Sequence, residues 1–195
     1  IRDIVPARFA VSSFDLDLDV LRDQIAALDA VSAVRVRIRP GGVLAVNVTE
    51  RQPAVVWRGP AGTLLLDATG HRIAMVTARA ARPDLPLIAG AGADARVGEA
   101  LEILAAAGPL SGRVRGLVRV GERRWDLWLD RDQIVLLPEE DPVSALQQVL
   151  AMDEAQDLLS RNVTRIDMRN PARPTLRLAP AAAHALRQIR SLFME

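Results

Sequence analysis

The chain has 195 residues and carries 25 arginines and no lysine against 24 acidic residues, which gives a net charge of +1 at pH 7. Such a balance, with no basic block interleaved with aromatics, argues against nucleic-acid binding. The absence of cysteine excludes disulfides, iron–sulfur ligation and thiol catalysis. No apolar run approaches the roughly 20 residues that cross a bilayer. Because the sequence begins at Ile1 without a signal peptide, we expect a targeting segment to precede it.

The first fifty residues predict a helix packed on a β-hairpin. Residues 1–14 are predicted to be irregular, and a helical spacing of apolar residues then begins near Asp17, at Leu18, Leu21, Ile25 and Leu28. A strand pattern follows, with valine or isoleucine at 34, 36 and 38 alternating with Arg35, Arg37 and Arg39. After the turn at 40–42 the alternation returns at 44, 46 and 48. We expect the three arginines to face solvent and Val34, Val36 and Ile38 to be buried.

The rest of the chain predicts short strands and three helices. Strands are expected at 54–58, 64–66, 72–76, 114–120, 124–130, 134–137, 163–168 and 175–178. Helices are expected at 97–107, from Pro142 onward, and at 180–193, whereas 78–94 is rich in proline and glycine and is predicted to be mostly loop. Since helices do not alternate regularly with strands, an antiparallel α+β architecture is favoured over a doubly wound sheet.

The residues that could carry chemistry do not form a site. His71 and His184 are far apart and lack any zinc-type spacing. The carboxylates at 139–141 precede a predicted helix, where anions interact favourably with the helix dipole. Neither glycine-rich stretch matches a phosphate-binding pattern, and no Gly-x-Ser-x-Gly element occurs. We therefore predict no catalytic residue, no cofactor and no metal site.

Trp125 and Trp128 are predicted to point to opposite faces of one strand, because they are three residues apart. One of the two can then belong to the core while the other lies near the surface.

Six segments, in order along the chain, together resemble the FtsQ/DivIB family of cell division proteins. They are LDAVSAVRV at 28–36, GGVLAVNVTERQPAVVW at 41–57, LLDATGH at 65–71, LPLIAG at 85–90, ERRWDLWL at 122–129 and IDMR at 166–169. The E-R-x-P…W and R-R-W elements are the most specific. The resemblance implies a POTRA domain at 1–52, a β-domain at 53–180 and a C-terminal helix or tail at 181–195. A POTRA domain normally opens with a strand and a helix, so either its first strand is missing here or its helix is irregular.

The resemblance also implies a function without catalysis. Members of the family are single-pass inner-membrane proteins whose periplasmic part acts as a divisome scaffold at the septum. They bind FtsB and FtsL and link early to late division proteins; FtsK, FtsW, FtsI and FtsN are further partners expected at the POTRA domain. Two other functions stay open: a POTRA module of an outer-membrane protein-assembly factor, and a periplasmic hydrolase.

The expected binding site lies at the C-terminal strand pair, where the family's partner adds a strand to the open sheet edge. Arg169, in the D-x-R motif, is the foremost candidate contact. The other candidates are Asn170, Arg173, Thr175, Leu176 and Arg177, with Arg123 and Arg124 expected on an adjoining strand.

Overall fold

The computed structural model describes residues 17–77 and 79–192, which form a small helix–hairpin unit and a large sheet with helices. The irregular entry predicted at 1–14 lies outside the described residues. In the small unit, helix α1 (Leu18–Ala26) is capped by Asp17, whose side chain accepts from the backbone N–H of Asp19 and Val20. The antiparallel strands β1 (Val31–Arg39) and β2 (Val43–Glu50) follow.

The predicted facing of the hairpin is confirmed for Val34 and Val36 but is wrong for Ile38. Val34 and Val36 are half-buried against a small core around Ile25, and the three arginines are exposed. Ile38, near the turn, is 37% exposed. The reason is length: a nine-residue helix spans about 13 Å, whereas a nine-residue strand spans about 30 Å, so α1 covers one end of the hairpin.

The large unit is built on one mixed sheet of nine strands in the described part of the chain. In chain order these are β3 (Val55–Gly59), β4 (Gly62–Leu66), β5 (Arg72–Met75), β6 (Leu87–Ala89), β7 (Val114–Val120), β8 (Arg124–Leu129), β9 (Ile134–Leu136), β10 (Val163–Asp167) and β11 (Thr175–Leu178). Their spatial order is β11-β10-β9-β8-β7-β6-β3-β4-β5. Pairing is parallel at β9–β10, β3–β6 and β6–β7 and antiparallel elsewhere. The α+β class with a mostly antiparallel sheet is therefore confirmed.

Strand β6 departs from the prediction of a loop at 78–94. It lies in the middle of the sheet, between β3 and β7, and its Ile88 is fully buried. Directly after it, Gly90 has φ +101°, and a Cβ there would lie 2.3 Å from the carbonyl oxygen of Arg119 on β7. The strand is thus defined by contacts far away in sequence, which a three-residue apolar stretch cannot reveal.

Helices α2 (Val97–Ala106) and α3 (Pro142–Gln156) cover one face of this sheet. Their buried residues, such as Ile103 and Leu146, pack in one core with Trp57, Trp125 and Leu127. Alternate strand residues point to the other face of the sheet, away from α2 and α3. Helix α4 (Pro180–Leu192) follows β11 directly.

A single ion pair joins the small unit to the sheet within the described residues. The guanidinium of Arg51 donates to the backbone carbonyls of Asp29 and Val31 and, over 2.7 Å, to the carboxylate of Asp67. Burial by itself would raise the pKa of Asp67, but hydrogen bonds from Thr69, Arg51 and the backbone N–H of His71 outweigh burial and hold the pKa far below its usual range.

We expect Asp67→Asn to lower the free energy of unfolding at pH 7 by about 2 kcal/mol, since hydrogen bonds to buried charged groups contribute ~1.5–3 kcal/mol. Because the pKa of Asp67 is depressed in the folded protein, its contribution is present above the unfolded value near ~4 and is lost as the pH falls below it. Urea unfolding at pH 7 and pH 3 should therefore show a gap between wild type and variant that narrows at pH 3. Arg82→Gln, which breaks the exposed pair with Asp84, is the control and should leave the midpoint unchanged. A gap equal at both pH values would contradict this role of Asp67.

Candidate protein-binding edge

Strands β10 and β11 form one edge of the nine-stranded sheet. Ile166 lies opposite Leu176, and Leu178, opposite Val163, packs against the core. By contrast Thr175, Leu176 and Arg177 are exposed, Leu176 to 49%. In the described part of the chain β11 pairs with β10 alone, so its other side is a free edge.

The backbone of Leu176 faces that free edge. The carbonyl oxygen of Arg177 accepts from the Thr164 hydroxyl of β10 over 3.3 Å, so it points into the sheet. Backbone polar groups of successive strand residues point to opposite sides, which turns the N–H and C=O of Leu176 outward. Unpaired groups of this kind are the template for an added strand.

Next to the edge lies an open recess of about 380 Å³ lined by Asp167, Arg169, Asn170, Arg173 and Thr175. Four of these five are predicted binding residues, and the structure brings them together where β10 ends and β11 begins.

The Arg169 side chain is held in place by Asp167. Its Nε donates to Oδ1 over 2.9 Å and one terminal nitrogen donates to Oδ2 over 2.6 Å, while its backbone N–H donates to the same carboxylate. This bidentate pair lowers the pKa of Asp167 and raises the pKa of Arg169. The side chain stays 55% exposed, so the guanidinium is oriented but can still meet a second carboxylate.

The expectation that Arg123 and Arg124 lie on a strand adjoining the C-terminal pair is wrong. Arg123 lies in the turn between β7 and β8, Arg124 begins β8, and β9 separates β8 from β10. Strand β9 lies between β8 and β10 because it pairs with β10 in parallel. That pairing joins segments that are distant in the sequence. Arg124 forms an ion pair with Asp126 and still contributes to lowering the pKa of Asp167.

The face of the sheet opposite α2 and α3 is organised in cross-strand rows near the edge. One row consists of Trp128, Ile134, Arg165 and Arg177 on β8, β9, β10 and β11. The next row consists of Asp126, Leu136, Asp167 and Thr175. Burial raises the pKa of Asp126 against the opposing effects of Arg124, Arg165 and Arg169.

Sequence reasoning did not single out Arg165, whose position in the row depends on strand register. It also missed Arg119, which is buried, is paired with Glu99 over 3.0 Å and stacks 5.0 Å from the Trp125 ring. The opposite facing of the two tryptophans is confirmed, with Trp125 fully buried and Trp128 41% exposed.

The described residues hold no group of three or more His, Asp or Glu side chains placed to bind a metal ion. Nor does any helix within 17–77 and 79–192 have the length and apolar character needed to cross a bilayer.

Fold and site together define a sheet module that presents a free strand edge beside an arginine-rich recess. The family model described as cell division protein FtsQ/DivIB, C-terminal, matches residues 55–169, more than half of the chain. Over 192 residues the chain is 53% identical to cell division protein FtsQ of Roseobacter litoralis and 52% identical to that of Cereibacter sphaeroides. It is 37% identical over 158 residues to FtsQ of Caulobacter vibrioides.

The chain therefore belongs to the FtsQ/DivIB family. The alignments cover 98%, 98% and 80% of this chain, respectively. They cover 66%, 62% and 51% of the three relatives, so the chain spans about half to two thirds of their length.

The exposure of the face opposite α2 and α3 at Trp128 can be tested by tryptophan fluorescence. Trp57 and Trp125 are at most 5% exposed, so acrylamide should quench mainly the emission of Trp128. We expect Trp128→Phe to remove most of the quenchable fluorescence and Trp57→Phe to leave it in place. Quenching unchanged by Trp128→Phe would mean that this face is covered.

Proposed function

We propose that this chain is the periplasmic part of a non-enzymatic divisome scaffold, anchored in the inner membrane at the septum, and that its β11 edge binds FtsB in a complex with FtsL. The observation that carries this proposal is the free backbone of Leu176 beside Arg169, at the place where the family resemblance puts partner binding. Membership of the FtsQ/DivIB family supports the role in cell division. In such a scaffold, binding to FtsB and FtsL links early to late division proteins.

The proposed domains are a partial POTRA domain at 1–52, a β-domain at 53–180 and a C-terminal tail at 181–195. Two features support the first boundary. The hairpin ends at Glu50, and the Arg51–Asp67 pair joins two otherwise separate sheets. The last strand, β11, ends at Leu178, close to the second boundary.

Strand addition makes a prediction about the backbone of Leu176. Leu176→Pro removes an N–H that faces the free edge and leaves the β10–β11 hydrogen bonds intact. Sheets tolerate proline at such positions, on an edge strand with the N–H side facing solvent. We expect it to weaken binding of the purified FtsB–FtsL periplasmic pair at least tenfold, equivalent to ~1.4 kcal/mol. Leu176→Ala, which keeps the N–H, is the matched control and should bind more tightly than the proline variant.

Calorimetric titration gives the affinities, and circular dichroism checks that each variant is folded. A folded proline variant with wild-type affinity would rule out strand addition at β11.

Arg169 makes a second prediction. We expect Arg169→Glu to weaken the same binding at least tenfold (~1.4 kcal/mol), because a planar guanidinium suited to a partner carboxylate is replaced by a like charge. The control is Arg58→Glu, the same charge change on an exposed residue of β3 at the far end of the sheet. Equal affinities of both variants would exclude Arg169 from the interface.

A further inference from the structure

Two arginines at the free edge face each other without a carboxylate between them. Arg165 on β10 lies directly opposite Arg177 on β11, and paired residues of antiparallel strands project from the same face. Neither forms an ion pair within the described residues, whereas Arg124 and Arg169 are each paired with an aspartate. Like charges placed directly opposite are unfavourable in a sheet. Arg165 also acts on the Asp126 carboxylate, so Arg177 is the member of the pair whose positive charge an outside anion would relieve.

We infer that the partner strand added to β11 carries a carboxylate in register with Arg177, which extends the row of Arg165 and Arg177 by one strand. This inference rests on the proposed function. A strand paired with β11 places one residue beside Arg177, at the spacing of a cross-strand pair and on the same face of the sheet. An aspartate or glutamate at that position meets Arg177 directly and lies near Arg165.

The neighbouring row makes this recognition specific for one register. Two residues along, the partner strand meets the row of Thr175 and Asp167, where Arg169 already holds the Asp167 carboxylate. In that row the partner residue lies beside the uncharged Thr175, so a direct opposite-charge pair across β11 forms only at Arg177. Slippage by one residue would turn the carboxylate to the other face, and slippage by two would move it to the Asp167 row. The charge pattern of the partner strand thus selects its register.

The test uses the purified chain with the FtsB–FtsL periplasmic pair as the probe. We expect Arg177→Glu to weaken binding at least tenfold and Arg58→Glu to leave it within about twofold. Stability separates the interface role from a structural one. The carboxylate that Arg177→Glu introduces would form an opposite-charge pair with Arg165, so the variant should unfold at the same or a higher temperature than wild type while it binds less well.

Single changes of each FtsB aspartate and glutamate to arginine complete the experiment. One of them should restore binding to Arg177→Glu and weaken binding to the wild type. If wild type binds and Arg177→Glu binds equally well, or if no FtsB change restores binding, the register inference is wrong and strand addition stands. If the wild-type chain does not bind the pair at all, the proposed function fails, and this inference with it.

Discussion

The relation between the two units depends on the ion pair of Arg51 and Asp67. Arg51 follows directly after β2, and its guanidinium reaches back to two carbonyls at the start of the hairpin and forward to the carboxylate after β4. Asp67 is fixed in turn by Thr69 and by the N–H of His71, so neither partner can rotate freely. A guanidinium suits this position because its several donors lie in one rigid plane. One side chain therefore ties both ends of the hairpin to the turn after β4.

This joint lies at the opposite end of the sheet from the proposed binding edge. Asp67 follows β4, next to one edge strand, whereas β11 is the other edge, with six strands between β4 and β11. Loss of a contact at β11 therefore need not disturb the helix–hairpin unit. The sheet is continuous from one end to the other because the short strand β6 pairs with β3 and with β7. Gly90, directly after β6, packs closely against the backbone of Arg119 on β7.

Much of the local structure was predictable because its causes are local. The helical spacing before residue 28, the hairpin and the opposite facing of Trp125 and Trp128 all follow from patterns over a few residues. The two motifs E-R-x-P and L-x-D-x-x-G were recognised separately, yet the structure shows that their charged residues, Arg51 and Asp67, form one joint. Strand β6, the insertion of β9 beside β10 and the burial of Arg119 were not predicted, because each depends on a partner distant in sequence.

The same distinction between local and distant causes applies to the charges at the β11 edge. Two ion pairs join residues that are two apart in the sequence: Arg124 with Asp126, and Arg169 with Asp167. Residues two apart on an extended strand project from the same face. Such pairs are visible in the sequence and neutralise themselves. Arg165 and Arg177 are brought together only by the register of β10 and β11, and neither forms an ion pair within the described residues. Two copies of the edge would bring arginine against arginine in the register that sets Arg177 opposite Arg177, and that register is disfavoured. The charge at this edge therefore favours an acidic strand over a second copy in that register.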